Sequence, residues 1–147
     1  DIVEFFEKIS ERIDGKFALP WITIELLRLL NEHKKSLSDV EIDANHVAAL
    51  LKLVKGGKIT ELQGKQIFKK FYPKSFMPSN IEEKITDEKE LERVANDVIK
   101  KNSRAVNDYR NGEQKAFDFL MGEIMRETEK RADYRIAREV LEKILKT

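Results

Sequence analysis

With 147 residues, 41% of them hydrophobic and 37% charged, the chain carries enough core formers for one medium domain or two small ones and is not of disordered composition. Its 28 basic residues against 27 acidic ones leave a formal charge of +1, which excludes a uniformly basic nucleic-acid binder and confines any RNA contact to a local basic face. The absence of cysteine excludes disulfides and thiolate metal sites and suits a reducing cytoplasm.

The longest apolar run, Val47 to Leu51, is far short of the roughly 20 residues of a membrane span. The chain starts at Asp1, already within a helical pattern and with no targeting segment, so a piece of a longer protein is expected.

Ile2, Phe5, Phe6, Ile9 and Ile13 recur at helical spacing, and Gly15 is expected to stop that helix. Pro20 is expected to open the next one as a first-turn proline, with Ile22, Leu26, Leu27, Leu29 and Leu30 as its broad apolar face. Ser36 to Glu41 reads as a polar connection. Asp43 is a candidate N-cap for a helix carrying Val47, Leu50, Leu51 and Val54, closed by Gly56-Gly57. Thr60 and Gln63 have capping-box spacing and start a fourth helix through Ile67, Phe68 and Phe71.

Tyr72 to Ser79 holds two of the three prolines and marks the main break. Ser79 and Glu82 again have capping-box spacing, which predicts a short helical turn. Asp87 and Glu90 then open a helix with Leu91, Val94, Val98 and Ile99 on one side. A short helix around Ala105, Val106 and Tyr109 ends near Asn111-Gly112. A longer one follows from about Glu113 to Thr128, with Phe117, Leu120, Met121, Ile124 and Met125 inward, and the last carries Ile136, Val140, Leu141, Ile144 and Leu145. The expected fold is all-α, with a four-helix subdomain over residues 1–78, a linker over 79–85 and a three-helix bundle over 86–147.

No catalytic constellation emerges. Gly57-Lys58-Ile59-Thr60 echoes the end of a phosphate-binding loop, but the upstream glycine of that motif falls at Lys52 and no strand precedes it. As a helix stop followed by a helix start, the same residues need no ligand. His33 and His46 have no acidic or cysteine partner at ligand spacing and read as solvated helix-surface residues. The many carboxylates read as surface charges, with none marked out as an acid–base pair.

The most informative segment runs from Gly112 to Arg138. Gly122 sits within a strongly helical run, where glycine costs about 1 kcal/mol against alanine. Either close helix packing or the close approach of a ligand backbone would compensate. Met121 and Met125 read as core packing, and Trp21 as core more than as an exposed anchor. On the last helix Arg131, Arg135 and Arg138 follow at i, i+4 and i+7, which is expected to put three guanidinium groups in a stripe on one face, and Arg126 and Lys130 lie just upstream, so the joining turn is basic on both flanks. Guanidinium forks suit phosphate geometry. Ion pairs of Arg135 and Arg138 with Glu139 and Glu142 would explain the same charges at only tenths of a kcal/mol each.

Phe119-Leu120-Met121-Gly122-Glu123-Ile124-Met125, with Gly112 and Lys115-Ala116 before it and Arg131-Ala132-Asp133 after it, resembles the tail motif of the GatB/YqeY family. That motif runs Gly, a basic-Ala pair, Phe-Leu-Val-Gly-Gln-Val-Met, then Lys-Gly-Lys-Ala-Asn-Pro. Leu50 to Leu53 with Gly57 to Thr60 resembles the family's helix junction. Ile85 to Glu88 with Leu91, and Asn102 with Ala105, Val106 and Tyr109, resemble its middle stretch. Glu123 stands where the family usually has Gln, Lys130 where it commonly has Gly, and Tyr134 where it commonly has Pro.

The resemblance implies the C-terminal helical and tail region of the B subunit of a glutamine-dependent amidotransferase that converts Glu-tRNA(Gln), and in some cases Asp-tRNA(Asn), to the amide form. Its ATP, Mg²⁺ and catalytic residues would lie in other parts of the parent subunit, with ammonia supplied by a partner subunit. No cofactor is expected here. The implied partners are tRNA and the other amidotransferase subunits, the implied location is the cytoplasm, and no membrane is involved. The expected tRNA contacts are Lys115, Arg126, Lys130, Arg131 and Arg135. The alternative is a protein–protein interaction module of the related E subunit or of a stand-alone YqeY-like protein.

Overall fold

Helical periodicity decides the fold: the computed structural model, which describes residues 1–147, is all-helical and contains no sheet. Strand-like pairing is confined to two isolated parallel bridges, Glu41 with Lys74 and Ile85 with Ala132. The chain divides into two units, Asp1–Glu82 and Glu83–Thr147, each with its own apolar core. No helix is long and apolar enough to cross a membrane.

In the first unit, the Asp1 carboxylate opens α1 (Ile2–Ser10) by accepting the Val3 N–H at 2.9 Å, and the helix buries Phe5 and Ile9. The next helix departs from expectation at both ends of its first segment. Gly15 begins it instead of stopping α1, because Asp14 supplies an N-cap and accepts the Lys16 N–H at 3.2 Å. Pro20 lies inside it: α2 (Gly15–Pro20) runs into a wider π turn (Trp21–Leu26) and then into α3 (Leu27–Glu32). Proline has no N–H for the carbonyl four residues back, and the widened turn directly after it absorbs the mismatch. Trp21, Ile22, Leu26, Leu29 and Leu30 all remain buried. At the end of α3, Lys34 adopts φ +55° and Lys35 N–H reaches the Leu30 carbonyl at 2.9 Å, which also accepts the His33 N–H at 3.2 Å, so the helix closes through a left-handed residue.

The polar connection contains one 3-10 turn, Leu37–Asp39, held by the Ser36 N–H donating to the Asp39 carboxylate at 2.8 Å. The caps of α4 (Ala44–Lys55) and α5 (Glu61–Lys69) are those the sequence indicates. Asp43 accepts the Asn45 N–H at 2.7 Å. Thr60 and Gln63 exchange bonds of 3.0 and 2.9 Å, and Gly57 turns between the helices at φ +75°. Trp21 is a core residue, its ring centroid 5.9 Å from that of Phe68. The short helical turn expected from Ser79 and Glu82 does not form. The Glu82 carbonyl instead accepts the Gln63 side-chain amide at 2.9 Å, and Ile81 packs on the first core. Ile85 belongs to the second core, so residues 79–85 are shared out between the two units.

The second unit starts its first helix, α6 (Glu88–Lys101), at Asp87, which accepts the Lys89 N–H at 3.2 Å. Asn102 interrupts the helix by turning its side-chain amide back to the Val98 carbonyl at 2.9 Å, and α7 (Ser103–Arg110) restarts at once. Gly112, at φ +100°, leads into α8 (Gln114–Glu127), which buries Phe117, Leu120, Met121, Ile124 and Met125. α9 (Tyr134–Lys146) buries Ala137, Val140, Leu141 and Leu145. α6, α8 and α9 pack on one another, with short α7 against α8 as a fourth helix.

Between α8 and α9, Glu129 and Lys130 both take left-handed backbone, at φ 53° and 65°. Lys130 and Tyr134 are the two positions where the resembled pattern has Gly and Pro. Glycine suits a left-handed residue and proline the first turn of a helix. The backbone of this turn therefore accounts for both preferences.

Candidate RNA interface

The turn between α8 and α9 is built by a chain of backbone bonds that also fixes its cations. Thr128 Oγ1 donates to the Ile124 carbonyl at 2.9 Å, closing α8. The segment at Ile85 lies alongside: Ile85 N–H donates to the Arg131 carbonyl at 2.7 Å and Asp133 N–H to the Ile85 carbonyl at 2.9 Å. Arg131 adds its own Nε, which donates to the Glu83 carbonyl at 2.8 Å. Asp133 caps α9 through the Ile136 N–H at 3.1 Å and holds Lys84 at 3.4 Å.

This geometry corrects the arginine stripe. Arg131 precedes the N-cap of α9 and is half-buried, so it does not share a helix face with Arg135 and Arg138. Arg138 lies over the Phe117 ring at 5.3 Å and pairs with Glu142 at 3.2 Å. Arg126, in the last turn of α8, pairs with Glu123 one turn earlier. Lys130 is exposed at the tip of the turn. Arg135, in the first turn of α9, is exposed and has no ion-pair partner. Four of the five expected contacts, Arg126, Lys130, Arg131 and Arg135, thus gather around one turn.

Lys115 is elsewhere. It sits in the first turn of α8, eleven residues or about 16 Å of helix from Arg126. There it borders an open groove of about 520 Å³ formed by the end of α6, the start of α7 and the start of α8. Arg104, Lys101 and the half-exposed ring of Phe119 line the same groove, together with the carboxylates of Asp108 and Glu113. Neither α7 nor α8 has a side-chain N-cap bond. Lys101 is engaged by Glu127 at 3.1 Å and Asp97 at 3.9 Å. The hydrogen bond and charge of Glu127, and then Asp97, raise its pKa above the ordinary lysine value.

Arg104 and Phe119 were not singled out as contacts by the sequence. The signal for Phe119 was present, since Lys115, Phe119, Gly122 and Arg126 recur at i, i+4, i+7 and i+11 on the side away from Phe117, Leu120 and Ile124. Gly122 is exposed, and a Cβ added to it would meet nothing within 4 Å. Helix packing is therefore not what its missing side chain serves.

The first unit carries a wider groove of about 820 Å³, lined by both signs of charge, among them Lys8, Arg12, Glu4, Glu11 and Asp43. At its edge His46 Nδ1 lies 2.7 Å from Ser75 Oγ, but that hydroxyl also accepts the Asp43 N–H at 2.8 Å and serves as a structural hub. His33 stacks on Tyr72 with ring centroids 3.7 Å apart. Gly57 to Thr60 is a helix stop and start. No group of three or more His, Cys, Asp or Glu side chains is gathered in one place.

The family model described as the GatB domain matches residues 4–145. The B subunit of the aspartyl/glutamyl-tRNA(Asn/Gln) amidotransferase of Thermotoga petrophila is 35% identical, over 99% of this chain and 31% of its own length. The proteins of the same name from Clostridium beijerinckii and Thermoanaerobacter pseudethanolicus are 34% and 33% identical, each over 98% of this chain and 31% and 32% of their own lengths. The chain thus spans about a third of the length of the curated relatives it matches.

Proposed function

The chain belongs to the GatB domain family, and from that premise we propose that it is the tRNA-holding C-terminal region of an amidotransferase B subunit, gripping misacylated tRNA while transamidation proceeds elsewhere in the assembly. The observation that carries this reading is the family match across both units, taken with a second unit whose exposed cations cluster at one turn. Lys115 and Arg135, which have no ion-pair partner, contact phosphate or ribose directly. Arg126 and Lys130 add to the field around the turn, and Arg131 shapes that turn through the Glu83 carbonyl. Such contacts position a nucleic acid without reading its sequence. Glu-tRNA(Gln), and Asp-tRNA(Asn) where the enzyme serves both, is the substrate class. ATP, Mg²⁺ and the ammonia-releasing partner act outside this region, in the cytoplasm.

The test is titration of the chain with a tRNA(Gln) transcript at two salt concentrations. Replacing Lys115 and Arg135 by Glu should weaken binding to tRNAs of different sequence alike and shrink the salt slope by roughly 0.7–0.9 for each phosphate that is no longer neutralised. Unchanged affinity and slope in the double variant would remove the proposal.

A further inference from the structure

We propose that the outer face of α8 seats one unpaired nucleotide of a folded RNA, its base stacked on Phe119 and its ribose-phosphate drawn close across Gly122. This rests on the tRNA-holding reading and adds to it a binding mode and a place.

Three features of this face lie outside the core of the second unit. Gly122 sits mid-helix with open space where a Cβ would be; it fills no tight contact and takes no left-handed backbone. A helix gives up stability at such a position, and the remaining benefit is room for something outside the helix. Phe119, one turn earlier, is 49% exposed, although the inward side of α8 is already filled by Phe117, Leu120, Met121 and Ile124. Lys115, one turn earlier again, and Arg104 across the groove are cations without a carboxylate partner. Cation, aromatic ring and bare backbone therefore follow one another along a single stripe beside a groove of about 520 Å³, a size in the range of small-ligand clefts.

The chemistry that fits this stripe is a nucleotide. An aromatic face accepts any base, an ammonium or guanidinium accepts its phosphate, and a missing side chain lets the sugar approach the helix. A base within an RNA duplex cannot reach such a platform, because only its edges are presented in the grooves. The occupant is therefore a nucleotide from a loop, bulge or end. Asp108 and Glu113 on the same rim repel a second phosphate and limit the seat to one nucleotide.

The closing experiment measures binding of a tRNA(Gln) transcript to the 147-residue chain, with thermal melting of each variant alongside. F119A should weaken binding about tenfold, within what stacking one base contributes, while F119Y retains it. G122A should weaken binding severalfold with an equal or higher melting temperature, since the added methyl meets no neighbour in the free chain. A hairpin with an unpaired loop should compete, and a blunt duplex should not. If F119A and G122A bind as the unchanged chain does while K115E with R135E is weakened, the nucleotide seat is wrong and the tRNA-holding reading stands. If the unchanged chain fails to bind the transcript even at low salt, both fall.

Discussion

Gly64 of α5 faces the six-membered ring of Trp21 so closely that an added Cβ would stand 3.0 Å from the ring's Cη2, and 2.6 Å from Cγ2 of Val54 as well. Two helical glycines in one chain thus have opposite surroundings, Gly64 crowded and Gly122 open. At Gly64 the helix-propensity penalty is offset by the approach of the indole to the α5 backbone, which lets Trp21 pack over Gly64 and beside Phe68, one turn further along the same helix. Ala at Gly64 overfills this contact. It should destabilise the first unit by about 2 kcal/mol, the usual range for an inserted core methyl being about 1–3 kcal/mol. Denaturant unfolding followed by Trp21 fluorescence measures this, and an unchanged midpoint would show that the helices separate without strain.

Ser75 is the polar counterpart of that contact. It is buried at 6% exposure, accepts the Asp43 N–H at 2.8 Å and lies 2.7 Å from His46 Nδ1. Its backbone N–H donates to the Glu41 carbonyl at 2.9 Å. Ser75→Ala leaves the Asp43 N–H, at the cap of α4, without a partner. A destabilisation of about 1 kcal/mol follows from the loss of this part-buried bond. His46→Ala should cost less, since the imidazole is only half-buried and water replaces its bond. Equal effects for the two variants in urea unfolding would contradict the hub role of the hydroxyl.

Three of the helix caps, each set by neighbours within one turn, were legible in the sequence. Asp43, Thr60 with Gln63, and Asp87 all cap as their spacing indicates. Gly15 reads as a stop and Pro20 as a start, and neither reading holds, because the same residues mark both; Asp14, one position before, makes Gly15 a start, and the π turn after Pro20 carries the helix through the proline. The capping spacing of Ser79 and Glu82 yields to a partner 19 positions away, the Gln63 amide. The candidate site divides along the same line. Lys115 and Arg135 were visible as cations on exposed faces, whereas the engagement of Arg131 with Glu83 spans 48 positions. The wheel that put Phe117, Leu120 and Ile124 inward also put Phe119 outward, but only the structure shows that its neighbours leave it half-exposed.

Asp39 gives the chain a localised acid response. The Ser36 backbone N–H holds its carboxyl below the ordinary aspartate range, helped by the Ser36 hydroxyl and then by the charge of Lys35, against slight desolvation. A carboxyl depressed in the fold stabilises it above the unfolded pKa, and that contribution is lost as pH falls through the lower folded value. Carbonyl-carbon NMR titration should therefore show Asp39 protonating below the ordinary aspartate range. In Ser36→Ala the transition should move up only partway, because the backbone bond persists. No displacement from the ordinary range would mean that the 3-10 turn opens in solution.

Arg131 and Arg135 stand four positions apart on either side of the start of α9, and their surroundings give them different work. Arg131 ties the Glu83–Ile85 segment to the α8–α9 turn, through Nε to the Glu83 carbonyl at 2.8 Å and through its own carbonyl to the Ile85 N–H at 2.7 Å. Arg135 projects from the first turn of α9 with no ion-pair partner. Replacing Arg131 by Lys keeps the charge but removes the planar Nε donor, and should cost about 1 kcal/mol of stability in the second unit. Replacing Arg135 by Ala should leave stability within about 0.5 kcal/mol, as for an unpaired surface residue, and weaken tRNA binding. Unfolding and binding curves on the same two proteins separate these effects. If Arg131→Lys melts like the unchanged chain and binds tRNA less well, the Glu83 contact does not organise the turn, and Arg131 belongs among the direct phosphate contacts with Arg135.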